Sequence, residues 1–193
     1  MRDHHPPHIF LDDTWYFISA STLDHARFLA LPRAKALLRD QLKALVIEFG
    51  IVLWAWVILD DHYHLLLKTR TGRDLSRFFG RLHGATSRQL NLWDNTQGRQ
   101  VWHNYRDTCM RTEASLWRHF NYIHNNPVKH GYVSHPADWE FSSYGYYLRE
   151  KGEEWLADCW ERYAVIDYAE GDDFGEPTQT TSRGKLRFWP EIA

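Results

Sequence analysis

Sulfur is scarce in this chain. Its 193 residues include two cysteines, Cys109 and Cys159, far apart in sequence. That argues against a disulfide framework and against a thiolate metal site, and it fits a reducing compartment. Long apolar runs are also missing. The longest, IVLWAWVIL (51–59), falls well short of the roughly 20 residues a membrane-spanning helix needs, and reads as a buried strand. The N-terminal MRDHHPPH is polar and leads into no apolar stretch, so no secretory signal is expected. There is no internal repeat. What the chain does have is 44% hydrophobic and 16% aromatic residues, enough to bury a core and too much for a wholly disordered chain.

A large net charge is absent as well, at −2, which at first argues against a polyanionic partner. The distribution reverses that reading. Residues 68–137 hold eleven basic and four acidic side chains, whereas residues 138–193 hold six basic and thirteen acidic. A basic middle suggests a polyanion-binding surface, and the acidic C-terminal part suggests a competitor for it.

Periodicity divides the chain into seven elements. TWYFISAS (14–21) reads as a strand. Leu38, Leu42, Leu45, Val46 and Phe49 recur at helical spacing between Pro32 and Gly50, a suitable start and stop. IVLWAWVIL reads as a central strand. HYHLLLK (62–68) reads as its hairpin partner across an Asp60–Asp61 turn. A second helix is expected over 74–93, with Leu75, Phe78, Phe79 and Leu82 on one side. Arg77, Arg81 and Arg88 fall within about 40° of each other on the opposite side. No acid interleaves them, which favours phosphate contact over an idle wet face. QVWHNY (100–105) reads as a fourth strand. A third helix is expected from Glu113 to Asn125, N-capped by Thr112 and ended by Pro127. The first six elements match an α+β, ferredoxin-like arrangement: an antiparallel sheet with helices on one face. The expected organisation is a domain over 1–148 and an acidic, partly disordered C-terminal extension over 149–193.

The chemistry begins at DDHYHLLLK (60–68). Strand residues two apart share a face, so His62 and His64 project together and Tyr63 opposes them. Two imidazoles are too few for a closed structural metal site, but they suit an open one with a third ligand and substrate oxygens. The second constellation is HFNYIHNNPVKHGYV (119–133). Leu116, Phe120 and Ile123 form the apolar stripe of that helix, and Tyr122 sits about 130° from its centre. Asn126 lies one turn on from Tyr122 and Arg118 one turn before it. Tyr122 is therefore not an obvious core residue: it is either a functional tyrosine or an ordinary one on a polar helix face. A divalent cation on a phosphodiester oxygen would polarise phosphorus. The Tyr122 phenolate could then displace a 3′-hydroxyl and leave a 5′-phosphotyrosine. Asn126, through its amide oxygen, is the candidate third ligand. Mg²⁺ and Mn²⁺ suit such a donor set, and Mn²⁺ is the better match to nitrogen.

Together LDDHYHLLLK, FNYIHNNPVKHGYV and DWEFSSY (138–144) resemble the REP-associated tyrosine transposases, which are single-tyrosine HUH endonucleases. The resemblance spans roughly residues 8–148. It implies a ferredoxin-like domain that binds repetitive extragenic palindromes as single-stranded DNA hairpins. It also implies cleavage and rejoining through a covalent tyrosine intermediate with Mg²⁺ or Mn²⁺, in the bacterial cytoplasm at the nucleoid. By position, His62 and His64 match the histidine pair, Tyr122 the nucleophile and Asn126 the residue completing the metal site. The residue between the histidines is usually a bulky hydrophobe in that family. Here it is Tyr63, expected to point into the helix-packed core. Arg70, Arg77, Arg81, Arg88, Arg118 and Lys129 are the candidate DNA contacts. Monomer and homodimer both remain open. The acidic tail is expected to cover the basic groove until DNA displaces it, so truncation near residue 150 should raise activity.

Two other readings compete. One is a DNA-hairpin-binding regulator on the same fold without cleavage. The other is a small metal-dependent phosphohydrolase, disfavoured because the only nearby carboxylates, Asp60 and Asp61, lie in the preceding turn.

Overall fold

The computed structural model describes residues 11–165. Its four strands are β1 (Thr14–Ser21), β2 (Val52–Ile58), β3 (His62–Thr69) and β4 (Arg106–Cys109). They form one antiparallel sheet in the order β2-β3-β1-β4. The helices are α1 (Pro32–Phe49), α2 (Asp74–Trp93), α3 (Glu113–Lys129), α4 (Tyr144–Lys151) and α5 (Glu153–Arg162). Among the described residues no helix is long and apolar enough to cross a membrane.

The period-2 alternation of the strands sorts side chains onto two faces. Tyr16, Ile18 and Ala20 of β1 and Tyr63, Leu65 and Leu67 of β3 join Leu38, Leu42 and Leu45 of α1 and Phe78, Phe79 and Leu82 of α2. This is the ferredoxin-like layer, with α1 and α2 side by side over one face. The other face carries Trp15, Phe17, Trp54, Ala55, Val57 and Leu66. It is covered by α3, whose Leu116, Phe120 and Ile123 meet it. Each apolar side chain so buried contributes about 1.5–3 kcal/mol.

Four sequence expectations change. β2 is an edge strand, not a central one. It is apolar because α1 and α3 cover its two faces, not because strands flank it. A bulge at Trp54, between Leu53 and Ala55, turns Trp54 and Ala55 to the α3 side and keeps Val57 opposite His64. The fourth strand starts at Arg106, and over 100–105 only Trp102 forms a lone bridge, to Thr22. Trp102 is drawn out of line by α2: its indole N–H donates to Thr86 Oγ1 (3.0 Å) and its ring stacks on His83 (4.6 Å).

The third helix runs through Pro127 to Lys129. Proline costs that turn one hydrogen bond. The actual stop is Gly131 (φ 70°), where Gly131 N–H donates to Val128 O and Tyr132 N–H to Pro127 O. Thr112 caps the start as expected, its side chain accepting from Ser115 N.

The fourth change concerns the domain boundary. The expected division between 148 and 149 falls inside α4, and α5 belongs to the same core. Leu156 is buried with Phe120 and Tyr147, and Asn121 Nδ2 donates to Cys159 O (2.9 Å) and Tyr163 O (2.7 Å). The polar side of α3 was therefore hidden from a stripe-based reading, because α4 and α5 bury it. The acidic residues from 166 onward, and with them the expected disorder and regulatory role, lie outside the described residues.

Candidate functional site

On β1, the residues facing α3 shrink along the strand, from Trp15 and Phe17 to Ser19 and Ser21. In the ladder, Ser19 pairs with His64 and Ser21 with His62. Small side chains beside the imidazoles leave that end of the face for polar groups. Over it α3 brings Tyr122 and Asn126, one turn apart. His62, His64, Tyr122 and Asn126 are all buried, at 5%, 4%, 5% and 0% exposure. The burial of Tyr122 departs from the expectation of a non-core face: it is packed against Phe17 (6.0 Å between ring centroids) and His64 (5.4 Å).

The two histidines are held differently. His62 Nδ1 lies 2.7 Å from Asp61 Oδ1, and His25 Nδ1 lies 3.0 Å from Asp61 Oδ2. Burial opposes ionisation of Asp61, but the hydrogen bonds and charges of His62 and His25 outweigh it and hold the carboxyl down at about 2. An ionised carboxylate only accepts, so both Nδ1 atoms are the donors. His64 stacks on Phe17 (5.3 Å, 21°), and neither of its ring nitrogens has a hydrogen-bond partner. Burial, then the positive groups at His62, His130, Lys129 and His119, push its pKa well below 6.5. It is a neutral imidazole with a lone pair available.

His62 Nε2 stands 3.1 Å from Asn126 Oδ1, while Asn126 Nδ2 has no partner. With Nδ1 donating to Asp61, a ring carrying a single proton would present the Nε2 lone pair toward the Asn126 oxygen. Adjacent ligands about 2.1 Å from an octahedral cation lie about 3 Å apart, and the observed separation fits that spacing. Two imidazoles and an amide oxygen on one face, with both His64 ring nitrogens lacking hydrogen-bond partners, suit a divalent cation of the Mg²⁺ or Mn²⁺ class. Among the described residues no three His, Cys, Asp or Glu side chains gather as a metal site. The third candidate donor is the Asn126 amide oxygen.

The other candidates divide. Lys129 Nζ lies over the Tyr122 ring at 5.3 Å, and Arg118 is one helical turn before Tyr122. Arg70 directly follows β3, six residues beyond His64, or about 20 Å away in the strand direction. Arg77, Arg81 and Arg88 are on α2, across the sheet from the histidines. Acids accompany two of them after all: Arg77 pairs with Asp74 (3.5 Å) and Arg81 with Glu48 of α1. Tyr63 points into the α1–α2 core as expected, its hydroxyl 2.7 Å from His83 Nε2. That face excludes it from the histidine site. Sequence reasoning missed Asp61 as a partner of His62, and also His25 and His130, whose ring lies 4.9 Å from His62. Adjacency to His62 was the available signal for Asp61; His25 carried none.

Comparison with known proteins agrees with this geometry. A family model described as "Transposase IS200 like" matches residues 27–126, just over half of the chain and inclusive of both histidines, Tyr122 and Asn126. The chain is 28% identical over 139 residues to the REP-associated tyrosine transposase of Escherichia coli (strain K12), covering 68% of this chain and 76% of that protein. A relative from Haemophilus influenzae, also named for REP association, is 34% identical over 105 residues, 45% of this chain and 55% of its own. Among solved structures, a REP-associated tyrosine transposase bound to a REP hairpin shares the fold. Its TM-score is 0.64 at 20% identity, covering 94% of this chain and all of that one. Matched by that family model over more than half of its length, with the tyrosine, the two histidines and the amide all inside the matched span, the chain belongs to the IS200-like transposase family.

Proposed function

We propose that this transposase binds single-stranded DNA folded into hairpins of the REP type, and cuts and rejoins it through Tyr122. The single observation that carries the reading is the convergence of the Tyr122 ring with His64 (5.4 Å) and of Asn126 with His62 (3.1 Å) on one face of the sheet. His62, His64 and Asn126 would hold Mg²⁺ or Mn²⁺, which when bound polarises the scissile phosphate and neutralises charge developing on it. Tyr122 Oη attacks phosphorus and the P–O3′ bond breaks. The phenol loses its proton, and the departing oxygen gains one to become a 3′-hydroxyl. The product is a 5′-phosphotyrosine that retains the energy of the broken linkage, so a second 3′-hydroxyl reverses the step without a nucleotide cofactor. Neutral His64 keeps its lone pair for the cation, and Phe17 holds its ring in place. Lys129, beside the phenol, and Arg118 favour the phosphate at the nucleophile. Arg70, Arg77, Arg81 and Arg88 would contact phosphates farther along the DNA. Acting on chromosomal DNA, the protein would work in the cytoplasm, as monomer or homodimer.

Incubation with a labelled hairpin oligonucleotide and Mn²⁺ tests this. The expected product is a protein–DNA adduct that survives denaturant and is lost in Tyr122→Phe. Binding without adduct would instead mean a non-catalytic hairpin binder. Hydrolysis that persists in Tyr122→Phe would mean a phosphohydrolase.

A further inference from the structure

The turn before the histidines is clamped from outside. Thr22 N–H donates to Asp61 O (2.7 Å), the Thr22 hydroxyl shares its proton between Ala26 O (2.7 Å) and Asp61 O (3.0 Å), and Leu29 N–H donates to Asp60 O (2.9 Å). The two aspartates then part. Asp60 turns to Lys35 (2.6 Å) and Arg27, and Asp61 turns to His62. Its second oxygen is taken by His25 from the 3-10 turn Leu23–His25. Asp24 and His25 there are both left-handed, with φ of 52°. Side chains other than glycine adopt that region infrequently, and here two successive residues do so. His25 Nδ1 within reach of Asp61 is what that conformation delivers.

The alternative that Asp61 prevents is specific. His62 Nε2 sits 3.1 Å from Asn126 Oδ1, an ordinary hydrogen-bond length. If the ring proton moved from Nδ1 to Nε2, it would bond that amide oxygen. One tautomeric shift would then remove two donors from the site. The carboxylate at Nδ1 blocks it by keeping the proton on its own side. His64 has no such partner, so the burden of setting a tautomer falls on His62 alone.

We propose that Asp61, braced by His25, is the positioning residue of the metal site, holding His62 in the Nδ1–H tautomer so that Nε2 and Asn126 Oδ1 both stay free for the cation. The proposal rests on His62, His64 and Asn126 being the ligands, and the test separates the two claims.

Ring ¹⁵N shifts of His62 in metal-free protein at about pH 8.5 should show a protonated Nδ1 and a bare Nε2. In Asp61→Ala the pattern should invert. Calorimetric titration with Mn²⁺ should give about 10–100-fold weaker binding in Asp61→Ala. Asp61→Asn, whose amide oxygen can still accept from Nδ1, should recover part of the loss and controls for folding. His25→Ala should fall between wild type and Asp61→Ala. The Mn²⁺ concentration for half-maximal cleavage should rise in parallel, with the saturating rate largely restored. Mn²⁺ binding lost in His64→Ala but unchanged in Asp61→Ala, with the His62 tautomer also unchanged, overturns the positioning role alone. Mn²⁺ binding absent from wild type, or indifferent to His64→Ala, overturns the ligand set and the proposal with it.

Discussion

Successive residues of β3 serve two faces of one sheet, and the faces are finished in opposite ways. Toward α1 and α2, Tyr63, Leu65 and Leu67 sit in a core whose buried phenol has a partner in His83. Toward α3, His64 keeps both ring nitrogens without hydrogen-bond partners and Asn126 keeps its amide nitrogen so. Buried polar atoms are normally satisfied, since an orphan costs about 1–3 kcal/mol. The first face follows the rule and is scaffold. The second departs from it at His64 and Asn126, where a ligand is expected to complete the bonding.

The sharpest way to break this comparison is to remove one hydroxyl from each face. Tyr122→Phe should abolish the covalent adduct entirely, measured on denaturing gels with labelled hairpin. Tyr63→Phe should leave adduct formation within severalfold of wild type, while orphaning His83 at a cost of about 1–3 kcal/mol in denaturant unfolding. Adduct surviving Tyr122→Phe and lost in Tyr63→Phe would reverse the assignment.

Truncation comes next in size. Ending the chain at 150 removes α5, exposes the cover of α3 and orphans Asn121 Nδ2. Loss of buried Leu156 alone should cost about 2–5 kcal/mol. Ending it at 165 spares those contacts. Thermal unfolding should separate the two truncations clearly, so any gain of activity on tail removal is to be sought at 165, not 150.

The cations sharpen the comparison further. Arg118→Ala and Lys129→Ala, on the Tyr122 side, should each slow cleavage more than they weaken binding. Replacing Arg77, Arg81 and Arg88 together should weaken hairpin binding and reduce the salt slope by about two to three, at about 0.7–0.9 per phosphate contact. The exposed ion pairs of Arg77 and Arg81, worth about 0–1 kcal/mol each, are a small barrier to recruiting phosphate. Binding assays across salt concentrations decide it: an unchanged slope leaves that ridge merely solvated.

The smallest effect concerns acid stability of the scaffold face. Burial pushes His83 down to about 4, below the unfolded value near 6.5. Its contribution is therefore complete above about pH 6.5 and is lost as pH falls towards 4, because the unfolded chain takes up the proton first. His83→Gln should flatten the decline of melting temperature across that interval.

Local periodicity was enough for much of this. Helix starts at Pro32 and Thr112, the 62–68 strand and the pairing of Tyr122 with Asn126 could all be read from neighbouring residues. Long-range choices could not. The edge position of β2 depends on which helices cover it. The start of β4 depends on α2 pulling Trp102 aside. The fate of α3's polar side depends on helices that follow it in the chain. Among site residues, Asp61 was visible as an acid in a turn, but its bond to His62 required the turn's actual conformation. His25 required contact across 36 residues of chain.

By itself, then, the order of residues determined that His62 and His64 share a side with Tyr63 opposed, and that Tyr122 and Asn126 travel together, because strand and helix geometry repeat every two and every 3.6 residues. Only the tertiary structure decided that these two pairs meet, that Tyr122 is buried where they do, and which carboxylate orients which imidazole. Those outcomes come from packing between distant segments, and no local repeat carries that information.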